Sequence, residues 1–186
     1  MKNRNTRKIK LHPESGMTLI ELAIAGFVLV FGMLSLMGVM ITAVGNNGRS
    51  KIDSSATMLN QAVLEQISAK LAGGGPGSIT DNLNCNGTGT THQIADDVGG
   101  ASLNGSTINF NQPQGAIAPS GTGALFYMSY VDCNNNVKTT YDVRWNIQLL
   151  NGSTYVVTVG AKPMNNLPTR FSFSIPVNMR AYVGGN

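Results

Sequence analysis

Catalytic and metal centres need histidine, cysteine and carboxylates in groups, and this sequence has little of the first two. It holds two histidines and two cysteines in 186 residues, and His12 falls in the leading basic segment. No Gly-x-Ser-x-Gly occurs, and no His/Asp/nucleophile grouping can be assembled around His92. The chain is therefore read as not an enzyme, with no cofactor and no metal. "NLNCNGTGTTHQ", 82–93, has the cadence of a calcium loop with Gly87 in sixth place, but Asn stands where carboxylates belong and Gln93 takes the bidentate position. Charge is scarce too, at 12% of residues. Lys2, Arg4, Arg7, Lys8 and Lys10 against Glu14 account for the whole net charge of +4, and eight basic and eight acidic residues cancel over 17–186. A nucleic-acid binder needs a basic stripe interleaved with aromatics, which is missing.

What is present is a long apolar run. Leu22 to Gly48 is 27 residues without a charge, and "LAIAGFVLVFGMLSLMGVMITAV" is nearly all apolar. As a helix the uncharged stretch measures about 40 Å, against a hydrocarbon core of about 30 Å. A helix apolar on every face needs lipid or a much larger protein around it. Five basic residues before the run, with only Arg49 and Lys51 just after it, place the N-terminus on the cytoplasmic side. An ordinary secretory signal would be shorter, would be cut after the run, where Ala43-Val44-Gly45 is a weak site, and would leave Glu21 unexplained. The alternative is a cut before the run, at Gly16-Met17.

"GMTLIEL", 16–22, resembles the class III signal of type IV pilins and pseudopilins: glycine, then Phe or Met, Thr-Leu-Ile-Glu and an apolar helix. "VFGMLSLMGVM" and "YDVRW" look most like the PilV-type minor pilins. The resemblance implies a prepilin, cleaved after Gly16 by prepilin peptidase and N-methylated on Met17, and a structural, minor filament subunit. It implies a minor pseudopilin of a type II secretion system as the alternative within the family. Its implied partners are the peptidase, other pilin or pseudopilin subunits, an inner-membrane assembly platform and, before assembly, lipid. Met17 stands where Phe is commoner, and Gly38 where many major pilins carry proline. A non-polymerising membrane-anchored adhesin or binding module is the competing class.

Glu21 is the chemical centre of this reading. A carboxylate in mid-membrane costs about 2.5 to 3.5 kcal/mol on insertion scales. Removal of the leader would give Met17 an α-amino group with an ordinary pKa of about 7.7 to 8.0. Isolated, the two charges are expensive in an apolar bundle; paired, they are tolerated. The family's proposed pair joins Glu21 to the amine of a neighbouring Met17, and contact within one chain is the simpler rival.

The rest reads as α+β: a long N-terminal helix, half transmembrane and half amphipathic, packed against a C-terminal antiparallel sheet of about four strands, as in the pilin fold. The expected divisions are a leader at 1–16, an assembly half-helix at 17–45 and a periplasmic domain at 46–186. "GNNG", 45–48, suggests a hinge or frayed turn. Over 49–72, Ile52, Ala56, Leu59, Val63 and Ile67 form an apolar stripe, with Asn60 among the polar positions. "GGGPG", 73–77, stops the helix. Residues 73–123 hold 12 of the 22 glycines and read as surface loops with a short strand at 106–110. In 124–183, Tyr141 to Leu149 alternates as a half-buried strand, "NGS" turns it into Tyr155 to Val159, and 124–131 and 171–180 supply two more strands. Pro176 marks an edge, bulge or break, and Asp142 and Arg144 share one strand face as a surface pair. Cys85 and Cys133, outside the cytoplasm, suggest a disulfide.

Overall fold

A computed structural model describes residues 16–74, 77–81, 87–134, 137–164 and 175–184. The chain divides into two units, Met1–Val44 and Gly45–Asn186. A single helix, α1 (Leu19–Leu71), is followed by short strands β1 (Ser78–Asp81), β2 (Thr90–Gln93), β3 (Gly99–Gly100), β4 (Leu103–Asn104) and β5 (Thr107–Ile108). A 3-10 turn at Gln114–Ala116 precedes the long strands β6 (Tyr127–Asn134), β7 (Val137–Asn151), β8 (Thr154–Pro163) and β9 (Val177–Gly184). The class is α+β.

The expected frayed turn at 45–48 does not form: Gly45, Asn46, Asn47 and Gly48 are all helical within α1. Each glycine costs about 1 kcal/mol relative to alanine. Propagation adds a hydrogen bond for each residue fixed, so good helix on both sides carries four poor formers between them. The stop after Leu71 falls where expected. Gly73 adopts φ 82°, Gly74 N–H donates to Ala69 O at 2.8 Å and Gly73 N–H to Lys70 O at 2.9 Å, a Schellman end that glycine makes accessible.

In the second unit β9, β8 and β7 pair antiparallel in that order, and the far edge of β7 is shared. β6 takes Val137 to Arg144 of that edge and β3 takes Asn146 and Ile147. Gly100 must be glycine there, since a Cβ would stand 2.3 Å from Trp145 O and its φ is 115°. The β4–β5 and β7–β8 turns each place an Asn-Gly-Ser triplet at the corner, with Gly105 at φ 64° and Gly152 at φ 55°. β9 begins directly after Pro176; of the strand expected over 171–180, residues 171–174 lie outside the described residues.

The apolar stripe of α1 packs as the spacing requires. Ala56, Leu59, Val63 and Ile67 meet Tyr141, Val143, Trp145, Ile147, Val157 and Val159 in one cluster. Asn60, expected among the polar positions, is fully buried in that stripe. It lies one turn after Ala56 and three residues before Val63, and its Nδ2 donates to Val177 O at 2.9 Å, which ties α1 to the start of β9.

The half-buried reading of β7 is corrected. Asp142 and Arg144 are buried, not a surface pair, because residues 101–116 cover the second face of the sheet. Asn146 Nδ2 donates to Ala101 O at 3.0 Å, and the Ile108 N–H to Asn178 Oδ1 at 3.0 Å. Arg144 Nη2 stands 2.7 Å from Asp142 Oδ2, its Nη1 donates to Gln112 O, and its guanidinium lies 5.2 Å from the centroid of the Phe110 ring. Gln114 Nε2 donates to Asp142 Oδ1 at 2.8 Å. Part of the glycine-rich segment is thus a covering layer with buried polar anchors rather than surface loop.

Candidate functional site

The start of α1 is built around the sequence Thr18-Leu19-Ile20-Glu21. Thr18 is the N-cap, its carbonyl accepting the first intrahelical bond from Leu22 N–H at 3.2 Å. Glu21 N–H donates to Thr18 Oγ1 at 3.3 Å, while Glu21 Oε2 accepts from Thr18 N–H at 3.0 Å and from its hydroxyl at 3.1 Å. This is a capping box, in which two helix-end N–H groups are satisfied reciprocally. Thr18 is not among the sequence-derived site residues, although Thr-x-x-Glu before an apolar run is the signal of such a box. The box gives Glu21 an intramolecular partner, Thr18, distinct from both pairings weighed for it.

Gly16 and Met17 precede the cap, outside the helix and exposed, and a Cβ on Gly16 would meet nothing within 4 Å. Among the described residues nothing crowds Gly16. The leader, 1–15, lies outside the described residues.

Beyond the cap, large apolar side chains such as Leu19, Phe27, Val30, Phe31 and Ile41 are 55–86% exposed. The segment is long and apolar enough to cross a membrane. Its few hydroxyls are satisfied on their own helix, Ser35 on Phe31 O at 2.9 Å and Thr42 on Val39 O at 2.9 Å, as a lipid setting demands. Gly26, Gly32 and Gly38 are open in the same way as Gly16. Neither a family model, nor a curated protein, nor a solved structure matches the chain.

Elsewhere, Cys133 is disulfide-bonded, and Cys85 lies outside the described residues. The segment with the calcium-loop cadence ends in β2, where His92 Nε2 is 3.2 Å from Asp81 Oδ2. Among the described residues no group of three His, Cys, Asp or Glu side chains is placed to hold a metal. Tyr141, buried against α1, donates through its hydroxyl to Ile52 O at 3.4 Å, and burial raises its phenol above the ordinary value. The sequence-derived sites Gly16, Met17 and Glu21 come together at the helix start; Cys133 belongs to the second unit.

Proposed function

We propose that this chain is a prepilin of the type IV filament superfamily: stored in the inner membrane with its C-terminal domain in the periplasm, cleaved after Gly16, N-methylated on Met17 and assembled through its apolar helix as a minor structural subunit. The observation that carries this reading is one of position. Exposed Gly16 and Met17 stand immediately before a capped helix whose large apolar side chains, from Leu19 to Val44, are left exposed. A membrane supplies that cover before assembly, and neighbouring copies of such a helix supply it afterwards. The second unit, with an amphipathic half-helix on an antiparallel sheet, is compatible with the pilin fold that the resemblance implies.

The capping box supports a second reading. With Glu21 satisfied by Thr18, the chain needs no neighbour to accommodate its acid, as a membrane-anchored binding module that never polymerises would require. Intact mass of the protein from its host separates the two. A mature chain beginning at methylated Met17, in fibre-associated material, is the expected result. A chain that keeps its leader, or begins near Asn46, sinks the prepilin reading. Glu21→Ala is expected to insert and be cleaved largely as the parent but to enter filaments poorly; normal incorporation would count against a Glu21–amine pair.

A further inference from the structure

Asp81 closes β1, and the residue is 1% exposed. Its Oδ1 accepts from the Thr90 N–H, and its Oδ2 from the Val131 N–H at 3.3 Å with His92 Nε2 at 3.2 Å. Thr90 and His92 belong to β2, the hairpin partner of β1. Val131 belongs to β6, and its amide lies on the edge of that strand that β7 does not use. One buried carboxylate therefore joins the hairpin to the edge of the main sheet. Two residues further along β6 is Cys133, in its disulfide.

We propose that Asp81 is an acid-sensitive latch that docks the β1–β2 hairpin on the β6 edge independently of the Cys133 disulfide. An ionised carboxylate only accepts hydrogen bonds, which suits donors converging on both oxygens; a neutral acid turns one oxygen into a donor facing another donor. A disulfide acts mainly by restricting the unfolded chain, so it does not replace acceptors for the amides of Thr90 and Val131.

Among the described residues the ionisable groups that act on Asp81 are His92 from β2 and Tyr130 from β6; Ser78, Ile79 and Thr80 of β1 carry no charge. Burial raises the Asp81 pKa, but the bonds from Thr90, His92 and Val131 and the charge of His92 together outweigh it and hold the carboxyl below its ordinary value. A lowered carboxyl contributes stability that is complete above the unfolded value of about 3.9 and is lost as pH falls through the folded one. The latch therefore opens below the ordinary carboxylate range.

The test uses the full chain in detergent micelles, with the Thr90 and Val131 amides read by hydrogen exchange and NMR shift, and Trp145 fluorescence reporting the core. Reduction by a phosphine at neutral pH is expected to leave both amides protected. Asp81→Asn, with the disulfide intact, is expected to speed exchange at both by about tenfold or more with Trp145 emission unchanged. Acid titration of the reduced parent is expected to shift both amides together before Trp145 responds, and it decides the matter if the variant does not fold. Loss of protection on reduction alone, a fully protected Asn variant, or simultaneous loss of latch and core in acid would overturn the proposal.

Discussion

Within α1, large apolar side chains from Leu19 to Val44 are exposed, whereas Ala56, Leu59, Val63 and Ile67 are hidden against a sheet. The difference is angular. The second stretch confines its apolar residues to a stripe, which one sheet face can cover. The first spreads them around the whole helix, which no single layer can cover. Burial is worth about 25 cal/mol per Å² of apolar surface, and among the described residues only the second stretch gains it within its own chain. Hydrophobic content therefore says that a partner is needed, and angular distribution says whether the chain can supply it.

The comparison can be broken or sharpened by substitution, with thermal or denaturant unfolding of the full chain in micelles followed through Trp145. Arg144→Ala is expected to be the most damaging, by about 3 to 5 kcal/mol, because it leaves Asp142 buried without its cation. Replacing Asp142 and Arg144 together by apolar residues of similar volume is expected to recover most of that loss. Next in size is the contrast within α1: Ile67→Ala is expected to lower stability by about 2 to 5 kcal/mol, and Ile24→Ala by no more than about 0.5 kcal/mol. Equal effects would show that the first stretch has cover in its own chain. Asn60→Ala, which leaves Val177 O without its donor, is expected to cost about 1 to 3 kcal/mol. Smallest is Thr18→Ala, expected to weaken the helix start by about 1 kcal/mol, visible as a loss of helical backbone shifts at Leu19 to Glu21 while Trp145 unfolding is unmoved.

Much of the fold was readable because local periodicity reports burial on one face. The 3–4 spacing from Ile52 to Ile67 and the alternation of Tyr141 to Leu149 each matched the element that formed. Second coverings were not readable. Asp142 and Arg144 look like solvent-facing positions on a half-buried strand, and only residues 101–116, distant in sequence, make them interior. Asn60 looks solvent-facing for the same reason, since only a long-range acceptor at Val177 makes its burial possible. At the candidate site the order of residues names Gly16, Met17 and Glu21 as candidates, and the Thr18–Glu21 box is written in the three-residue spacing of its members, a local signal that needs no charged partner.

Sequence by itself determined the features that depend on neighbours a few residues away: the apolar span, the capped start at Thr18, the glycine stop after Leu71 and the Asn-Gly-Ser corners. These follow from backbone hydrogen bonding and steric freedom, which are short-range. Tertiary structure alone decided which polar groups are interior, because the partners of Asp81, Asn60, Asp142 and Arg144 include backbone and side-chain groups on segments far along the chain. A polar side chain can enter a core only where such partners converge, and that convergence exists only once the sheet has closed over them.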